Sequence, residues 1–153
     1  MSTEATGASG PVLFAYDGSD LAGHAITEAG RKLRAGQDAI VLTIWEPFNV
    51  GFLPVGGAAF DAAGVDEVRA AAEKTAAQGA SLAEEAGFRA TTMTAEGAPT
   101  WKGIVDVADE HNASLIVLGS HGRNGVTGLV VGSVAAAVAA HSRRSVLIVH
   151  HRG

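Results

Sequence analysis

Ser114-Leu115-Ile116-Val117-Leu118-Gly119-Ser120-His121-Gly122, followed after nine residues by Gly132-Ser133, is the stretch that decides the fold of this chain. Its first five residues form a short apolar run rich in branched side chains, which predicts a buried strand. Ser133 to His141 holds five alanines and neither Gly nor Pro, which predicts a helix. Strand, glycine loop and helix in that order are the setting of a phosphate site in an α/β protein. Gly119 and Gly122 let backbone approach a ligand with no Cβ in the way. Gly132-Ser133 opens the helix, whose first amides lack intrahelical acceptors and point at whatever lies above them. A polyanion such as a triphosphate suits that cradle. The plain alternative is a glycine-rich connection that only turns tightly.

Outward from this motif the chain alternates. Val12 to Tyr16 reads as a strand, ending in Asp17-Gly18-Ser19, where Ser19 or Asp20 caps a helix running to about Arg34. Leu21, Ile26 and Leu33 mark its buried face, and Gly36 ends it. Ala39 to Trp45 is a second apolar strand. Pro47 to Gly64, rich in Gly and Ala, is an irregular connection, long enough to suggest a flap or a subunit contact. Val65 to Ala86 is an Ala/Glu-rich helix with Gly79 as its weak point. Phe88 to Thr94 is a third strand and Glu96 to Pro99 a turn. Thr100 then caps a helix to about Asn112 that buries Ile104, Val105 and Ala108. After the fourth strand, the loop and the Ala-rich helix, Ser145 to Val149 is a fifth strand. This β-α alternation predicts one domain built on a parallel sheet with helices on both faces. Ligands bind such sheets at the carboxyl ends of the strands, where the winding reverses. With five strands that point lies between the first and fourth, so Asp17-Gly18-Ser19 and the Gly119–Gly132 loop converge on one crevice.

Composition narrows the function. The 153 residues suit a single domain, with 47% hydrophobic and only 5% aromatic residues, so tight Ala-based packing is expected. No cysteine is present, which removes disulfides, thiolate catalysis and cysteine metal sites. A net charge of −5 and no basic run beyond Arg143-Arg144 argue against nucleic acid as a partner. Residues 1–10 lack the features of a signal peptide and read as a disordered polar arm, leaving 11–151 as the domain. The longest apolar stretch, Leu129 to Ala140, is only 12 residues and too short for a membrane span. A soluble cytoplasmic protein is expected.

Taken together, Val12 to Ser19, Glu96 to Pro99 and Ser114 to Arg123 resemble the universal stress protein family, over about Pro11 to His150. The spacing Gly-x2-Gly-x9-Gly-Ser at Gly119, Gly122, Gly132 and Ser133 resembles the branch of that family that binds ATP. The resemblance implies an open five-stranded parallel sheet in the order 3-2-1-4-5, Rossmann-like and of the adenine nucleotide α-hydrolase type. It also implies a homodimer and a regulatory stress-response role with slow or no ATP hydrolysis. Carried over residue by residue, it implies a pocket in which Ala15, Tyr16 and Asp17 meet the nucleoside and Ile44 contacts adenine. Gly119, Ser120, His121 and Gly122 would line the ribose and α-phosphate; Arg123, by its own chemistry, either reaches a phosphate or pairs with an acidic helix residue. Gly132, Ser133 and Val134 would hold the β- and γ-phosphates. Mg²⁺ would be held mainly by the phosphates. Thr43 and Trp45 stand where the family often has His and Val, and Tyr16 where it often has a smaller residue; Tyr16 either stacks near the base or packs.

Other readings compete at these positions. His121 as a general base lacks a partner carboxylate that sequence can locate. For Asp17 the competing role is that of a turn-former and nothing more. His150-His151 cannot readily chelate one ion, since neighbours on a strand point to opposite faces. Asp106, Asp109 and Glu110 read as a solvated helix face. The apolar strand Val146 to Val149 would lie at a sheet edge and invites pairing with a second copy across a two-fold axis. A slow ATPase or nucleotidyl-transfer enzyme is the alternative function, although no Walker lysine motif is present. A sensor of another adenine nucleotide, such as cyclic AMP, is the third.

Overall fold

The computed structural model describes residues 10–46, 62–121 and 131–150, with side chains from residue 64 in the second segment. Five strands, β1 (Val12–Ala15), β2 (Asp38–Trp45), β3 (Arg89–Glu96), β4 (Leu115–Gly119) and β5 (Ser145–Val149), alternate with four helices. The helices are α1 (Asp20–Lys32), α2 (Ala62–Glu85), α3 (Thr100–Glu110) and α4 (Ser133–His141). All pairings are parallel and the order is β3-β2-β1-β4-β5, as the alternation and the family resemblance imply. Val12 lies opposite both Ala39 of β2 and Leu115 of β4, so β1 is central. The ends of β1 and β4 therefore adjoin at the point where the winding reverses.

Strand alternation splits the apolar residues into two cores, one on each face. Val12, Phe14, Tyr16, Val41, Phe88 and Val117 pack with α1 and α2. Leu13, Leu42, Ile116 and Leu118 pack with Ile104, Val105 and Ala108 of α3 and with Ala135 and Val138 of α4. Phe14 and Phe88 meet edge to face at 5.1 Å, a favoured aromatic geometry. Alanines such as Ala25, Ala29, Ala76 and Ala83 are fully buried, so the low aromatic content is offset by close approach of helix to sheet.

Several element ends differ from the sequence reading. Ser19, not Asp20, caps α1, accepting from the Ala22 amide at 3.2 Å. The helix stops at Lys32 with Leu33 as its C-cap; Gly36, at φ +85°, belongs to the turn beyond. β3 runs two residues past Thr94, because β2 pairs with it residue for residue from Asp38–Arg89 to Trp45–Glu96. Pairing there overrides the weak strand propensity of Ala95 and Glu96. Pro99 is the N-cap of α3 without a side-chain bond. Thr100 instead sends its hydroxyl to Glu46 at 2.5 Å. α2 begins at Ala62, inside the expected Pro47–Gly64 connection; residues 47–61, like the expected arm over 1–9, lie outside the described residues.

Candidate functional site

The crevice starts where β1 leaves the sheet. Tyr16 still donates its amide to Leu42 O at 2.9 Å. Its carbonyl accepts from the hydroxyl of Thr43, a buried polar residue of β2, at 2.8 Å. That bond satisfies the carbonyl at the point where the ladder stops. Asp17 follows, half-buried, with Oδ1 accepting from the Ser19 amide at 2.9 Å. The turn-forming role of Asp17 is thus present in the structure. It fixes the carboxylate at the carboxyl end of β1.

On the far side, β4 ends at Gly119. A Cβ there would come within 2.8 Å of Leu21 Cγ, so only glycine lets β4 and α1 approach this closely. Ser120 is fully buried and tied on both sides: its amide donates to Val149 O at 2.9 Å and its carbonyl accepts from the Gly132 amide at 2.6 Å. Its hydroxyl lies 3.3 Å from His121 Nδ1. The bond from Gly132 brings the start of α4 back onto the end of β4. A Cβ on Gly132 would sit 3.0 Å from Ser120 O and 3.2 Å from His121 Cβ. Gly132 is the N-cap of α4 and has no side chain to cap it, and the first turn holds no acid. Ser133 is exposed and Val134 half-buried at that helix mouth.

The N-termini of α1, α3 and α4 can be compared. α1 is closed by Ser19 and has Asp20 in its first turn. At α3 the Glu46 carboxylate takes the Thr100 hydroxyl. Among the described residues α3 and α4 alike lack a side-chain cap bond and an acid in the first turn; at α4 no described carboxylate bonds to the first turn, and its amides are the groups the macrodipole makes attractive to an anion.

The structure brings together Ala15, Tyr16, Asp17, Gly119, Ser120, His121, Gly132, Ser133 and Val134 at the carboxyl edge around β1 and β4. Two of the expected contact side chains are committed elsewhere. The Tyr16 ring is only 7% exposed and lies against Val41 and the Gly79 backbone of α2, so it packs. Burial, then the charges of Asp17 and Asp20, hold its phenol above the usual tyrosine value. The Ile44 side chain fills the space between Gly97 and Gly103, where added Cβ atoms would fall 3.2 and 2.9 Å from it. What Ile44 has to offer a base is its backbone and a remaining side-chain edge. Gly122 and Arg123 lie outside the described residues, as does His151. Among the described residues no group of three or more His, Asp or Glu is arranged to hold a metal ion.

Sequence reasoning missed Glu46 and the bond that Thr43 makes to the Tyr16 carbonyl. A signal for Glu46 was present: β1 ends in Ala15-Tyr16-Asp17 and β2 in Ile44-Trp45-Glu46, each an aromatic followed by an acid.

The fold defines an open α/β protein in which the ends of β1 and β4 adjoin at the topological switch point, the place where ligands bind such sheets. The sequence model of the universal stress protein family matches residues 9–150. The chain belongs to the universal stress protein family. A universal stress protein of Mycolicibacterium smegmatis is 31% identical over 93% of this chain; the chain spans 46% of the length of that relative. Among solved structures, a universal stress protein in complex with cAMP is 27% identical, with a TM-score of 0.66 over 95% of this chain and 99% of that one. UspA from Lactobacillus plantarum is 25% identical, with a TM-score of 0.72 over 92% and 97% of the two chains. No described helix is long and apolar enough to cross a membrane.

Proposed function

We propose that this chain is an ATP-binding regulatory module of the stress response, acting as a homodimer in the cytoplasm. The observation that carries the reading is the polarity of the crevice. The acceptors Asp17 and Glu46 stand at the ends of β1 and β2, while α4 opens on uncapped amides with no acid in its first turn. A nucleotide has the matching polarity, with hydroxyl and amine donors at one end and an anion at the other. Asp17 would take a donor of the nucleoside, the α4 amides and the Ser133 hydroxyl would take the phosphates, and Mg²⁺ would be carried by the phosphates with its own waters. ATP binding would bias the surface offered to partners rather than drive turnover.

Calorimetric titration of nucleotide-stripped protein with Mg-ATP tests this, with Gly132→Val as control. Saturable binding is expected in the wild type. It should fall at least tenfold in the variant, because the new side chain crowds Ser120 O and His121 at the helix mouth. No heat in the wild type at two temperatures would overturn the reading and leave the glycines as packing devices. The related structure with cAMP favours a second ligand for the same site. Displacement of ATP by low concentrations of cAMP in the same experiment would select it.

A further inference from the structure

We propose that Glu46 reads the base of the bound nucleotide, accepting the exocyclic amine of adenine and rejecting a 6-oxo purine; this rests on the nucleotide reading above. The position follows from the sheet. Ala15 lies opposite Leu42, so the continuation of β2 through Ile44 to Glu46 rises beside the Asp17 turn. Leu42 and Ile44 belong to the core shared with α3 and α4, and strand alternation puts Glu46 on that same face. The mouth of α4 opens on that face as well. β2 and β4 flank β1, which separates them by about 10 Å, two strand spacings. This is the kind of span that divides the base of a nucleotide from its phosphates. With the phosphates on α4 and the sugar beside Asp17, the base falls toward the end of β2.

The chemistry of Glu46 suits a reader. Its carboxylate is half-buried and held by the Thr100 hydroxyl on Oε2 at 2.5 Å. Oε1 has no hydrogen-bond partner among the described residues. Ile44, two residues below, is locked between Gly97 and Gly103, so the strand end that carries Glu46 is firmly placed. A positioned acceptor favours the N–H of an adenine amine. The same acceptor faces the O6 of hypoxanthine or guanine lone pair to lone pair, leaving both unpaired. The simpler role for Glu46 is to complement the N-terminus of α3 through Thr100. That role affects stability alike whichever base is bound.

The test is competition binding of ATP, ITP and GTP to stripped wild-type, Glu46→Gln and Thr100→Val proteins, with a thermal melt of each. The wild type should prefer ATP over ITP by ~10-fold or more, the range of a hydrogen bond to a charged group. In Glu46→Gln the ratio should collapse toward one, because the amide can turn its NH₂ toward O6. Thr100→Val, which leaves the carboxylate but removes its anchor, should lower the ratio by a smaller factor. An unchanged ATP/ITP ratio in Glu46→Gln, with ATP still bound, overturns the proposal and leaves Glu46 as a partner of α3. Equal binding of ATP and ITP by the wild type also overturns it while leaving the phosphate cradle standing. Failure of the wild type to bind any of the three overturns both readings.

Discussion

Tyr16 is the single tyrosine of the chain, so its ionisation can be followed alone. Burial raises its phenol, and the neighbouring charges of Asp17 and Asp20 raise it further. For an acid whose folded value is raised, the stabilising contribution is complete below the unfolded value near about 10. It is lost as pH rises through the folded value. Tyrosinate absorbance should therefore titrate above the ordinary range in native protein and return to it in denaturant. The alkaline loss of stability should shrink in Tyr16→Phe. An ordinary native midpoint would mean that the ring is wetter than its packing against Gly79 and Val41 implies. At this scale the candidate site was only half legible. Asp17 and Gly132 stood out because strand, turn and glycine spacing mark them. The commitment of Tyr16 and Ile44 to packing depends on Gly79, Gly97 and Gly103, which lie far from them in sequence. Thr43 stood out only as a departure from the family's usual His; its bond to the Tyr16 carbonyl spans 27 residues and leaves no local signal.

Among the elements, α2 shows how packing reverses a local preference. By helix propensity Gly79 is its weak point, and Gly79→Ala in a free helix would gain about 1 kcal/mol. In the fold, however, Gly79 lies against the sheet, and an added Cβ would come within 2.7 Å of both Tyr16 Cδ2 and Val41 Cγ1. Overpacking of this kind costs about 1–3 kcal/mol. Since Tyr16 is wedged at the end of β1, it has little room to yield. Gly79→Ala should thus cost about 1 kcal/mol of stability net, seen as a lower urea midpoint at unchanged m-value. A rise in the midpoint would show that propensity dominates and that the contact relaxes freely. The same competition explains which elements were legible. The type and order of the nine described elements followed from apolar runs and Gly/Pro punctuation. Their ends did not, because β3 is extended by its pairing to β2 and Thr100 is drawn from capping to Glu46, both long-range effects.

For the whole molecule, the two sheet edges pose different problems. β3 closes one side with the sequence Arg-Ala-Thr-Thr-Met-Thr-Ala-Glu, and its exposed residues include Arg89, Thr91, Thr92 and Glu96. Arg89 also pairs with Asp38 at 2.9 Å. Polar and charged side chains of this kind discourage edge-to-edge pairing. β5 closes the other side with Ser-Val-Leu-Ile-Val, in which Val146, Leu147 and Ile148 are half-buried and no charge interrupts the strand. An apolar edge left open templates association, and a two-fold axis beside it offers pairing that closes on itself. The proposed homodimer through Val146 to Val149 rests on this asymmetry. Sedimentation should give twice the chain mass at micromolar concentration. Because the pairing stabilises only folded chains, the thermal midpoint should rise with protein concentration. A monomer at micromolar concentration, with a melting point indifferent to dilution, would sink the dimer. The nucleotide reading would stand, since Asp17, Gly119 and Gly132 all come from one chain.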